Sequence, residues 1–347
     1  MKRATVISLT ILFMLAFTVF FIESHPSFAA APYYEGKTIR IIVGTSPGGG
    51  FDSFARLLGR HLARHIPGAP TIVVENMPGA GALMSANHIY KVAKPTGLTI
   101  GSFNGSLLFD QVLGQEGIEF ESQKFEYIGA MAWSTPVCLL SKASGINRMD
   151  DWITSKTPVK LGGIGPGNHA PDNTPKILKV AIGLPLQLVT GYKGTADVRL
   201  AVQGNEVHGC ILGWESAKTT WRKDLEAGNA VAVLQAVPRP MPDLPNVPLA
   251  INYAKTDEAR KLIEVGIHST GLFARPFVTT PGTPKDRVQL LRNAFQETLK
   301  DKDFLADAQK SRLDLDPVTG ENLERAVASA SKLDPGLIAK LKEILLK

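Results

Sequence analysis

Short runs rich in β-branched residues alternate along the chain with stretches whose apolar positions recur every three or four residues. Thr38 to Val43 reads as a strand, Gly44 to Gly50 as a turn, and Phe54, Leu57, Leu58, Leu62 and Ile66 mark one face of a helix from about Asp52 to His65. Thr71 to Glu75 predicts a second strand and Met77 to Gly81 a second glycine turn. Leu83, Ala86, Ile89, Tyr90 and Ala93 then form the inner face of a helix that leads to a strand at Leu98 to Gly101. After strand-like runs at Phe125 to Ala132 and Pro136 to Leu140 the order repeats. Val159 to Ile164 predicts a strand, Asp172 to Ile182 a helix, Leu186 to Val189 a strand, Gly194 to Gln203 a helix and Val207 to Leu212 a strand. Such alternation belongs to βαβ units around a mostly parallel sheet, so the fold class is α/β. Each series carries Gly-x-x-Pro-Gly after its first strand (Gly44 to Gly48, Gly163 to Gly167) and an Asp where the next helix starts, which predicts two similar lobes with matching loops. Pro238 to Pro248 reads as a stiff crossing segment. The tail is helical, with Thr283-Pro284 and Asp334-Pro335 as helix starts.

The chain has 347 residues, which at ~150 residues per domain agrees with two lobes. Lys2 and Arg3 precede an uncharged run from Ala4 to Ile22, and the small residues Ser27 to Ala31 follow. That layout predicts a secretory signal peptide over 1–29, cleaved near Ala29; the competing expectation is an uncleaved anchor. Only Cys138 and Cys210 are present, both within apolar runs, so buried free thiols are expected rather than a disulfide. The net charge of +6 is too thin, over this length, for a nucleic-acid footprint.

Gly44-Thr45-Ser46-Pro47-Gly48 matches the Gly-x-Ser-x-Gly nucleophile elbow between a strand and a helix. The elbow needs an N–H on the residue after the serine, and Pro47 has none, so a secreted serine hydrolase using Ser46 is the weaker expectation. Met77 to Gly81 lacks the third glycine of a dinucleotide fingerprint, and no Walker lysine follows a glycine cluster, so no cofactor is expected. His61 and His65 share a helix face but lie among Arg56, Arg60 and Arg64, which reads as a solvated basic face rather than a metal site. What remains is four glycine turns entering helices, at Ser46 to Asp52, Pro78 to Gly81, Gly165 to Asp172 and Gly191 to Thr195. Turns of this kind expose backbone N–H groups at helix N-termini, where an anion finds several donors. In open α/β sheets such loops gather at the carboxyl ends of the strands, where ligands bind.

The runs IIVGTSPGGGFDSFARLLG (Ile41 to Gly59), VVENMPGAGALMSANHI (Val73 to Ile89), GYKGTADVRLAVQGNEV (Gly191 to Val207) and PGTPKDRVQLLRNAF (Pro281 to Phe295) resemble the solute-binding proteins of tripartite tricarboxylate transporters, the Bug family. The resemblance implies a two-lobed periplasmic clamshell, type II-like, with lobe 1 over 30–130 and 252–347 and lobe 2 over 131–251. A small carboxylate would be held in the cleft by a monomer without enzymatic activity and handed to membrane permease subunits; a periplasmic sensor for a signalling receptor is the alternative. By motif the ligand falls to Ser46, Gly48, Gly49, Asp52, Gly79, Ala80 and Gly81, with Tyr192, Lys193, Gly194 and Thr195 from the second lobe. The chain departs from the family pattern at Gly165 to Thr174 and Gly213 to Glu215, which brings in Asn168, His169, Trp214 and Glu215 at the ligand's other end.

Overall fold

The structure, a computed structural model, describes residues 31–165 and 167–346; the expected leader, its cleavage site and Pro166 lie outside the described residues. The chain first builds β1 (Thr38–Val43), β2 (Thr71–Asn76), β3 (Thr99–Ser102) and β4 (Glu126–Ala130). It crosses to a second sheet made of β5 (Pro136–Ser141), β6 (Val159–Gly162), β7 (Leu186–Val189), β8 (Gly209–Gly213) and β9 (Ala230–Gln235), then returns with β10 (Phe277–Thr279) and β11 (Val318–Thr319). The sheet orders are β11-β4-β10-β3-β1-β2 and β7-β6-β8-β5-β9. The βαβ parts are parallel, β1 with β2 and β3, and β6 with β7 and β8. The expectation of mostly parallel sheets fails at the crossings. Returning β10 runs against β3 and β4, and β5, the first strand after the crossing, runs against β8 and β9. A strand that arrives from the other sheet, rather than through a βαβ crossover within its own, is free to run opposite to its neighbours.

β1 is an interior strand, between β3 and β2, because it is apolar enough to lose water on both faces: Ile39, Ile41, Ile42 and Val43 are all buried. Against it lies the helix Gly50–His61, whose Phe54, Leu57 and Leu58 are buried as their spacing requires, each contributing roughly 1.5–3 kcal/mol. The helix ends at His61 and tightens into a 3₁₀ turn, Leu62–His65. Its basic face is not merely solvated. Arg60 and His61 reach Asp307, and Arg64 and His65 reach Asp301, so the face docks on the acids that precede and lie within the helix Lys302–Lys310.

In the second half the helix starts at Thr174 rather than Asp172, because His169–Asn173 forms a wide π-type turn first. Ile177 and Leu178 are buried. The helices Asp257–Ile263 and Pro335–Leu346 both pack on this helix, and Lys176 Nζ donates to the Leu345 carbonyl at 2.8 Å. Asp334 caps the last helix through the Leu337 N–H, whereas Thr283 turns to the Thr280 carbonyl and leaves the start of Lys285–Lys300 uncapped by its side chain. Gln235, fully buried, holds the proline segment by donating to the Leu244 carbonyl and accepting from the Met241 N–H.

Cys138 and Cys210 are buried free thiols. Cys138 stands opposite Ile211 and Leu139 opposite Cys210, so the two sulfurs leave opposite faces of the sheet and belong to different core clusters.

Asp110, on the short helix Ser106–Val112, is 1% exposed, and neither carboxylate oxygen has a partner among the described residues. It sits at the junction of the two sheets, where Gly167 approaches and Asn104 donates to the Gly167 carbonyl. Burial pushes its pKa up to about 7, with Lys176 pulling weakly the other way. The folded state therefore keeps a proton that the unfolded chain has already released, and stability falls as pH rises from about 4 to about 7. Asp110→Asn should remove that loss, raising stability at pH 8 by on the order of 3–4 kcal/mol relative to the parent while changing little at pH 4. Denaturant titrations at both pH values check this, and an equal change at pH 4 and pH 8 would refute it.

Candidate functional site

A cavity of about 270 Å³ opens between the two sheets. Its walls are the loops that leave the carboxyl ends of β1, β2, β6, β7 and β8, together with Asn104, Ser134 and Arg275 from the connecting segments. Of the residues singled out from the sequence, Ser46, Gly48, Gly49, Gly79 and Gly81 line it from the first sheet. Asn168, His169, Lys193, Gly194 and Thr195 line it from the second.

The others lie away from the lining. Asp52 is buried behind the first loop, where it accepts from the Gly48 N–H at 2.9 Å, Arg56 Nε at 2.9 Å and Asn76 Nδ2 at 2.9 Å. Burial opposes its charge, but these hydrogen bonds outweigh burial and hold the carboxyl below the usual range. Asp52 thus fixes the loop's shape and consumes the Gly48 donor; the open first turn of the helix leaves the N–H groups of Gly50 and Phe51 without helix partners. Ala80 is part of a contorted turn in which Ala80, Gly81 and Ala82 have φ of 47°, 65° and 79°. Two alanines held at positive φ cost free energy that the surrounding packing must offset, which is typical of loops shaped for a ligand. Tyr192 points off to Glu206, its hydroxyl donating at 2.6 Å. Trp214 donates to Asp243 and, with Glu215, borders a separate pocket.

Glu215 is a buried acid. It is 4% exposed, ion-paired with Arg275 and accepts from Thr135 at 2.7 Å, so its charge is answered inside the protein. Arg275 was not anticipated. It is a lone cation in the apolar run Gly271 to Val278, a pattern that could have marked it. One guanidinium nitrogen, Nη2, serves Glu215 and Ser216; the other, Nη1, is buried without a partner among the described residues. Thr45 Oγ1 is a second unpartnered buried polar atom on the same wall.

His169 joins the two π-type turns. Its Nε2 lies 2.8 Å from the Ile267 carbonyl and its Nδ1 3.0 Å from Ser134 Oγ. Burial lowers its pKa to about 4, so the ring is neutral at ordinary pH and a poor general base. Lys193, in contrast, is exposed at the rim. Among the described residues no three His, Cys, Asp or Glu side chains gather as a metal site.

These features can be set beside known proteins. Residues 55–342 match the family described as tripartite tricarboxylate transporter family receptor, TctC. No curated protein matches the chain. Among solved structures, the periplasmic binding protein BugD is 20% identical and superposes with a TM-score of 0.70 over 90% of this chain and 98% of its own. The protein MatC from Rhodopseudomonas palustris, with bound malate, is 18% identical with a TM-score of 0.67 over 89% and 99%. Rpa4515 of R. palustris, with adipate, is 18% identical with a TM-score of 0.70 over 88% and 97%. At these identities the structures establish the fold, and the match over most of the chain establishes the family: this α/β protein belongs to the TctC receptors, the solute-binding proteins of the tripartite tricarboxylate transporter family.

Proposed function

We propose that the chain is an extracytoplasmic solute-binding protein that captures one small carboxylate between two lobes and delivers it to the membrane permease of a tripartite tricarboxylate-type transporter. The cavity between the sheets carries this reading, because the helix start after β1, loops from the second sheet and Arg275 all border it. The family supports a transported solute, and the malate and adipate of the two R. palustris structures support a carboxylate. In this reading residues 1–29 direct export to the periplasm and are removed, the mature protein works as a monomer, and it catalyses no reaction. Residues 30–130 and 252–347 form lobe 1 and 131–251 lobe 2, with the helices Asp257–Ile263 and Pro335–Leu346 reaching across to brace lobe 2. The ligand set is Ser46, Gly48, Gly49, Gly79, Gly81, Asn168, His169, Lys193, Gly194 and Thr195, while Asp52, Ala80, Tyr192, Trp214 and Glu215 shape the loops that carry them.

A thermal-shift screen of small carboxylates on the mature protein tests the reading. An acid present at 100 times its Kd should stabilise the folded state by about 2.7 kcal/mol; a complete absence of shifts across mono-, di- and tricarboxylates would defeat it. Lys193→Ala should weaken the hit by less than about tenfold, since an exposed cation contributes about 1 kcal/mol or less. Calorimetry that shows binding abolished in this variant would move the anchor to Lys193. Ala80→Pro does not isolate one backbone donor, because proline cannot reach a φ of 47° and would unmake the turn.

A further inference from the structure

We propose that the cavity selects a small monocarboxylate that bears a hydroxyl, with Arg275 gripping the carboxylate and Ser134, aimed by His169, accepting from the hydroxyl. The inference rests on the solute-binding reading above and names the ligand class within it.

The carboxylate subsite follows from where Arg275 stands. A Cβ on Gly50 would lie 2.8 Å from Arg275 Nη1, so the free nitrogen is parked beside the N-terminus of the helix Gly50–His61. A guanidinium beside the positive end of a helix adds to its field, so an anion placed between the two meets both. The guanidinium also lies over the rings of Phe51 and Phe54, at 4.9 and 5.6 Å from their centroids, which fixes its plane and keeps Nη1 turned from bulk water. A carboxylate between Nη1 and the first-turn N–H groups would complete all three.

The count of charges limits the ligand to one carboxylate. Arg275 is already answered by Glu215, and both side chains are at most 11% exposed. A first carboxylate is accommodated by Nη1 and the helix start. A second in the same volume would meet Glu215 behind Arg275 and find its only other cation on the wall at Lys193, on the exposed rim.

The hydroxyl is read through a fixed tautomer. The Ile267 carbonyl can only accept, so His169 Nε2 carries the proton and Nδ1 is a bare acceptor. Ser134 must then give its own proton to Nδ1, and its oxygen is left with lone pairs on the cavity wall. A ligand group that meets it has to donate. A hydroxyl donates once and stays neutral. An ammonium brings a full charge and three protons, while the buried carboxylate nearby, Glu215, is committed to Arg275 and Thr135 and Asp197 is exposed at the mouth.

The test is calorimetry of the mature protein with butyrate, 2-hydroxybutyrate, 3-hydroxybutyrate, 2-aminobutyrate and malate. At least one hydroxybutyrate should bind about tenfold or more tighter than butyrate, 2-aminobutyrate and malate, because a buried acceptor left unpaired penalises the analogue without a donor. Ser134→Ala should bring the ratio of hydroxybutyrate to butyrate affinity close to one, and Arg275→Gln should weaken every acid by roughly a hundredfold. Butyrate matching both hydroxy acids on the unaltered protein overturns the role of Ser134, and that comparison stands whether or not the variants fold. Tighter binding of malate overturns the single-carboxylate limit, and tighter binding of 2-aminobutyrate overturns the choice of hydroxyl. Carboxylates that bind without these preferences sink this inference alone, whereas no binding by any carboxylate sinks the solute-binding reading with it.

Discussion

Glu215→Gln should lower the stability of the empty protein by about 3 kcal/mol and yet tighten its hold on a carboxylate. The pair Arg275–Glu215 is buried between the two halves of the fold, and removing one charge strands the other where water reaches it poorly. The cost belongs near the low end of the usual 3–5 kcal/mol because the cavity beside Arg275 admits some water. A bound carboxylate then becomes the guanidinium's only counter-charge, so its binding recovers part of what the substitution removed. Denaturant titrations with and without the acid from the thermal screen measure both effects. Unchanged stability of the empty protein, or weaker binding by the variant, would contradict this description of the pair.

Gly50→Val should abolish detectable binding, a loss of about a hundredfold or more, equivalent to roughly 2.7 kcal/mol. Gly50 opens the helix after β1, and any Cβ there would clash with Ser216 Oγ and stand 2.8 Å from Arg275 Nη1. Those atoms approach from across the cavity, so a side chain at Gly50 would fill the carboxylate's place and hold the walls apart. Within its own helix a valine costs less than about 1 kcal/mol. A variant that binds as the parent does would show that the carboxylate sits elsewhere.

Much of this was legible in the sequence because it is local. Apolar periodicity gave the βαβ units, and glycines before helix starts marked the loops that line the cavity, such as Gly48 and Gly49 after β1 and Gly194 after β7. The antiparallel strands were hidden because β5 and β10 owe their direction to the crossings between sheets, which no local pattern encodes. Arg275 was missed for the same reason: its chemistry depends on Glu215 and Gly50, both far from it in sequence. The π-type turn at His169 replaced the expected helix start at Asp172, whose carboxylate instead ties down the Ile164 and Gly165 N–H groups. The left-handed conformation of Ala80 follows from the packing of its turn, since alanine by itself avoids it.

If the two sheets close over a carboxylate, the ligand stabilises the closed arrangement by its contacts with both walls and shifts the population toward it. Small-angle scattering from the mature protein should therefore give a smaller radius of gyration with a saturating concentration of the acid selected by the thermal screen. A radius that is unchanged at saturation would contradict capture between two closing lobes.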